Sequence, residues 1–117
     1  LKDQLGISTP SIVNEFGMTE LLSQRYGRGD PAVPLIGPPW LRSRVLDPVT
    51  LEELPRGETG ILCHFDLANL GSVCAVLTED QGRVAGDGIE WAGRTQGAPP
   101  RGCSLATAEL LEAQGNA

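Results

Sequence analysis

A chain of 117 residues, 40% of them apolar, can bury one modest core and folds as a single domain at most. Nine basic against 15 acidic residues give a net charge of −6, so no basic stripe exists for a nucleic-acid backbone, and no apolar run approaches the roughly 20 residues that span a bilayer. Three cysteines without regular spacing supply neither a disulfide framework nor the four ligands of a closed zinc site. With no charged-then-apolar leader, the expectation is a soluble, cytoplasmic chain with reduced thiols and no nucleic-acid or membrane partner.

With 15 Gly, nine Pro and only 4% aromatics, turns and short strands are favoured over long helices. Leu1 to Leu5 reads as the tail of a helix stopped by Gly6, and a start at Leu rather than Met reads as a fragment. Ser11-Ile12-Val13 is a short apolar strand, ending at Val13 or shortly after. The stretch Asn14 to Glu20 then offers an aromatic, a glycine and two oxygen-bearing side chains. Gly17 lets the backbone turn with unusual dihedrals, and an exposed face of Phe16 can stack on a flat heterocycle. Thr19 and Glu20 can meet phosphate oxygens and the Mg²⁺ that accompanies them.

Thr19 can also cap a short helix through Leu21, Leu22 and Arg25, ended by Gly27; a plain turn is the alternative. Residues 28–39 hold four prolines and form a connector, in which Arg28-Gly29-Asp30 is a loop tripeptide without adhesive meaning. From Trp40 to Leu46 the pattern alternates, with Leu41, Ser43 and Val45 on one face of a half-buried strand. Turns at Asp47-Pro48 and Pro55 to Gly60 bracket the next connection, and Ile61 to Phe65 forms a strand with Ile61, Cys63 and Phe65 together. Val73 to Leu77 is continuously apolar and reads as the central strand covered on both faces, ending at Thr78-Glu79-Asp80. Asp87-Gly88 signals a hairpin into Ile89-Glu90-Trp91, and Ser104 can cap a last helix through Leu105, Leu110 and Leu111. The sum is an α+β module: a small, mostly antiparallel, barrel-like β-meander with short flanking helices.

Phe16-Gly17-Met18-Thr19-Glu20 after a strand resembles the adenine-binding motif of the adenylate-forming ligases, the acyl-CoA synthetase superfamily. The longer run Val13 to Gln24, with Arg101-Gly102-Cys103-Ser104, is similar to the acyl-protein synthetases, long-chain fatty acid:protein ligases of bacterial luminescence. The similarity runs from about Leu5 to Leu111 and covers only the last third of such an enzyme, so residues 1–117 read as the C-terminal portion of an acyl-adenylating domain. An aryl-CoA ligase similar to phenylacetate-CoA ligase, and a catalytically silent interaction module, are the alternatives.

The resemblance implies that Phe16 and Gly17 flank adenine, that Thr19 contacts the phosphates, and that Glu20 holds Mg²⁺ and serves catalysis. The family usually carries Tyr where this chain has Phe16. Without the resemblance, Phe16 is equally a buried aromatic and Glu20 a solvated carboxylate. Thr78-Glu79-Asp80 is similar to the superfamily's Thr-Gly-Asp, whose aspartate accepts both ribose hydroxyls; a carboxylate has the two oxygens that a vicinal diol needs. Placed at the end of an apolar strand, Asp80 would be fixed yet solvent-facing, or simply a loop Asp before Gln81-Gly82. Gly93-Arg94 matches the Gly-Arg whose arginine reaches the nucleotide, a surface arginine being the other reading.

Cys103 lies two residues after Arg101 and before the helix that Ser104 can cap, a setting that stabilises a thiolate; it matches the cysteine that carries the acyl group in acyl-protein synthetases. A small buried hydrophobe is the alternative. Cys63 and Cys74 read as strand-interior cysteines and His64 as a satisfied structural histidine. The implied reaction activates a fatty carboxylate with ATP as acyl-adenylate and transfers the acyl group to a thiol, with an acyl-accepting protein such as a reductase as partner. Departures are the Gln96-Gly97 in place of acidic hinge residues and the absence of the family's catalytic lysine and of any Gly-rich phosphate loop. Little activity is expected from these residues without an N-terminal portion.

Overall fold

The computed structural model of the chain describes residues 2–98. Cys103, Arg101 and the helix expected from Ser104 lie outside the described residues. Helix α1 (Lys2–Leu5) is four residues long and stops where Gly6 takes a φ of +66°. A single 3-10 turn, Thr9–Ser11, follows, so helices are almost absent from the described residues and the α+β expectation holds mainly in its β part.

Among the described residues, six strands form two antiparallel sheets. Strands β1 (Val13–Phe16) and β2 (Arg25–Arg28) make a hairpin, and β3 (Leu41–Leu46), β4 (Gly60–Asp66), β5 (Ala75–Ala85) and β6 (Gly88–Arg94) make a four-stranded meander in chain order. Connector residues Leu35 and Ile36 join the two sheets. Ile36 exchanges backbone hydrogen bonds with Tyr26 of β2 (2.8 and 2.9 Å), and Leu35 exchanges them with Ile89 of β6 (2.7 and 3.2 Å). The prolines around this pair prevent a longer ladder, yet two reciprocal pairs suffice to close the sheets around Leu35, Val45, Leu62 and Ile89. Phe16, Leu54 and Val84 pack against that cluster from its edges.

Strand β3 keeps the expected alternation, with Leu41 and Val45 buried and Arg42 and Arg44 exposed. The β5–β6 hairpin also forms, but its two-residue loop is Gly86-Asp87 rather than Asp87-Gly88. Gly86 has the positive φ (+55°), and Gly88 already lies in β6, where an added Cβ would come within 2.7 Å of Leu35 O.

Three expectations are corrected. Val13 begins a strand instead of ending one. No helix follows Thr19: residues 21–28 alternate between buried and exposed and run extended into β2. The strand covered on both faces is β4, in which only Phe65 is not buried, whereas Val73 and Leu77 are 66% and 51% exposed. Strand β5 is interior to the sheet, but apolarity alone misjudged its coverage, because β4 buries His64 and Asp66, whose partners come from distant segments.

Candidate functional site

A break in the β4–β5 ladder builds the site. Cys63 pairs with Leu77 and Ile61 with Gln81, so Thr78, Glu79 and Asp80 face the single residue Leu62 and bulge away from it. The Thr78 hydroxyl fills the gap, donating to Leu62 O (2.7 Å) and accepting from the Asp80 backbone N–H (3.1 Å). Strand β5 therefore continues past Asp80 to Ala85 instead of ending there, and Asp80 is 7% exposed rather than solvent-facing.

A second irregularity aligns Arg94. Gln81 pairs with Gly93 but Gly82 with Trp91, leaving Ala92 as the extra residue of a bulge. Gly93 takes a φ of +112° there, which a side chain would resist. Arg94 then sits opposite Asp80, with Nη1 3.7 Å from Asp80 Oδ1 and Nη2 donating to Glu79 Oε2 at 2.8 Å. Its Nε is buried with no partner among the described residues. Burial raises the Asp80 carboxyl above the ordinary carboxylate range; Arg94 and the Trp91 indole pull it back, while the charges of Glu20 and Glu79 push it further up.

The β4–β5 connection holds Glu20 in place. Asn69 Nδ2 donates to Glu20 O (3.1 Å) and to Val73 O (3.0 Å). Beside it, Asp66 is fully buried and accepts from Leu22 N (3.0 Å), Ser23 N (2.8 Å), Ser23 Oγ (2.9 Å) and Ala68 N (3.1 Å). Burial alone would raise its carboxyl; the donors of Ser23, Ala68 and Leu22 outweigh that and hold it below the usual range. Ser23 Oγ also accepts from Trp40 Nε1 at 3.0 Å. Sequence reasoning missed Asp66 and Asn69. Their available signal was a carboxylate ending an apolar run, followed by an Asx turn in Asp66-Leu67-Ala68-Asn69.

Phe16 is half-buried at the end of β1. Its ring packs on the core cluster and lies 5.5 Å from the His64 ring, so one side is committed to the interior. Gly17 does not take a positive φ; its use is a missing side chain, since a Cβ would lie 3.3 Å from Gln24 Cγ. Thr19 and Glu20 form an exposed turn in which Thr19 Oγ1 donates to Glu20 Oε2 at 3.1 Å. Asp80 and Arg94 therefore meet across the β5–β6 ladder, while Thr19 and Glu20 adjoin each other in the exposed turn after β1 and Phe16 belongs to the core side of that hairpin. No group of three or more metal-ligating side chains occurs among the described residues.

His64 is only half satisfied. Ser43 Oγ accepts from Arg25 Nη2 (2.8 Å) and shares a hydrogen bond with His64 Nδ1 (2.7 Å), while the buried His64 Nε2 has no partner among the described residues. Cys63 is buried, and burial raises its thiol despite the nearby Arg44 charge. Cys74 is exposed and precedes β5, contrary to the strand-interior expectation.

No family model matches the chain. Two curated relatives do: the long-chain-fatty-acid–luciferin-component ligase of Vibrio harveyi, 31% identical over 66% of this chain, and that of Aliivibrio fischeri, 30% identical over 64%. The chain spans 22% of the length of each. Among solved structures, apo MatB from Rhodopseudomonas palustris superposes with a TM-score of 0.55 at 23% identity, covering 72% of this chain and 20% of that one. ATP-bound MatB from the same organism gives 0.58 at 24% identity, over 80% and 22%. No helix among the described residues is long and apolar enough to cross a membrane. In sequence the chain resembles the C-terminal part of the acyl-protein synthetases, and in fold it matches a portion of MatB.

Proposed function

We propose that this chain supplies part of the nucleotide site of an ATP-dependent, AMP-forming acyl ligase that activates a long-chain fatty carboxylate and passes it to a protein thiol. One observation carries the reading: Asp80 and Arg94, picked out from separate motifs, lie opposite each other at two ladder irregularities, with Arg94 Nη1 3.7 Å from Asp80 Oδ1. ATP would supply the leaving group that makes the carboxylate reactive. Asp80 would accept the two ribose hydroxyls, since a carboxylate offers about four lone-pair positions and Arg94 takes few of them. The unpartnered Arg94 Nε fits a nucleotide oxygen, because a buried donor without a partner costs about 1–3 kcal/mol.

Thr19 would meet the phosphates. Glu20 would share Mg²⁺ with them, an arrangement that needs only one or two protein carboxylates. Phe16, anchored on the core, would form a wall beside adenine, with Gly17 leaving room for the base. Cys103, after Arg101, would carry the acyl group before an acceptor such as a reductase takes it. Preorganised charge, more than covalent chemistry from the protein, would then drive the first step.

Titrating AMP at neutral pH should move the amide resonances of Thr78 to Asp80 and of Arg94. Asp80→Ala should weaken binding at least tenfold, about 1.4 kcal/mol. No movement at those amides would reject the nucleotide site in favour of a silent interaction module.

A further inference from the structure

A second polar feature lies at the other end of the β5–β6 hairpin, roughly 20 Å along the strand from Asp80. A cleft of about 160 Å³ opens there between β3 and the Gly86-Asp87 loop, lined by Arg25, Arg42, Ser43, Arg56 and Asp87 among others. Three arginines on one cleft stand out in a chain with more acidic than basic residues. Arg44, Arg83 and Arg94 each have a carboxylate within 4 Å, whereas no ion pair with a described residue engages Arg25, Arg42 or Arg56.

Arg25 is only 3% exposed, and its polar contacts are all to neutral groups: Nη2 donates to Leu41 O (3.0 Å) and Ser43 Oγ (2.8 Å), and Nε has no partner. Burial pulls the Arg25 guanidinium below its ordinary value. An isolated buried charge is costly unless a counter-charge meets it. Arg42 and Arg56 each place one donor on a backbone carbonyl, Pro39 O (3.1 Å) and Gly86 O, which fixes them at the rim with other guanidinium donors free. Asp87 offsets one of the three charges.

From these contacts we infer that the Arg25–Arg42–Arg56 cleft binds a small dianion of the phosphate class. Two uncompensated positive charges match a dianion, and guanidinium forks suit tetrahedral oxyanions. The inference does not depend on the nucleotide reading, which concerns the opposite end of the hairpin.

The test adds inorganic phosphate at constant ionic strength, with chloride as balance, while the amides of Ser43 and Gly86 to Ile89 are followed. The expected result is a saturable shift that weakens about tenfold or more in the exposed-residue double variant Arg42→Gln/Arg56→Gln and is unchanged in Arg28→Gln, which lies outside the cleft. A parallel AMP titration separates sources: movement with phosphate alone identifies a free ion, and movement with both identifies a phosphoryl group on a larger ligand. Shifts that track ionic strength alone, or equal affinity in the double variant, would overturn the inference. Arg25→Gln is avoided as the deciding variant because loss of its bonds to Leu41 and Ser43 threatens folding.

Discussion

Asp66→Ala is expected to destabilise the fold by about 4 kcal/mol, a large share of the stability of a domain this size. The carboxylate carries four hydrogen bonds, of which those from Ser23 N and Ser23 Oγ are buried and have no water to replace it. Each buried donor left without a partner costs about 1–3 kcal/mol. Asp66→Asn keeps one acceptor oxygen and should lose roughly half as much. Because these bonds tie residues 22 and 23 to the end of β4, the loss should concentrate in the β1–β2 hairpin. Denaturant midpoints and hydrogen exchange at β2 measure it; an alanine variant within 1 kcal/mol of the parent would show that Asp66 is no anchor.

Acid will act first on His64. Burial, with the Arg25 charge adding to it, lowers this imidazole from 6.5 to about 4. The folded state therefore binds the proton less readily than the unfolded state does. The contribution is complete above the unfolded value of 6.5 and is lost as pH falls from there toward 4, by about 3 kcal/mol in all. Below 4 this group adds nothing further. Asp66, held below its ordinary 3.8, behaves as a stabilised carboxylate whose contribution is present above that value and disappears as pH drops through the folded one. Stability measured against pH should thus fall in two stages. His64→Gln should flatten the upper stage and leave the lower; an unchanged upper slope in that variant would assign the loss to another group.

Much of the meander was legible because its signals are local. Strand β3 declares itself by alternation, the turn from Pro55 to Gly60 by its residues, and the β5–β6 hairpin by Asp87-Gly88, one residue beyond the loop it actually uses. The stretch after Thr19 was not, because its extended course depends on Asp66, more than 40 positions away, taking Leu22 N and Ser23 N. For the same reason the strand covered on both faces was misidentified, although residues 75–77 do lie in β5, an interior strand of the sheet. Val73 to Leu77 looks more apolar than the strand containing His64 and Asp66, but Asp66 becomes an interior residue once Ser23 satisfies it, and Ser43 takes up one nitrogen of His64. At the candidate site, the family motifs singled out Asp80 and Arg94. No local pattern could show that Thr78 plugs a ladder break or that Gly93 turns a bulge to bring the arginine across.

The central claim is that Asp80 is a ribose acceptor, and the ribose hydroxyls themselves test it most directly. Affinities of AMP and of 2′,3′-dideoxy-AMP should be compared in the parent chain and in Asp80→Ala. The account predicts that the parent prefers AMP by about tenfold or more and that the preference vanishes in the variant. Equal affinity of the parent for both nucleotides would contradict it.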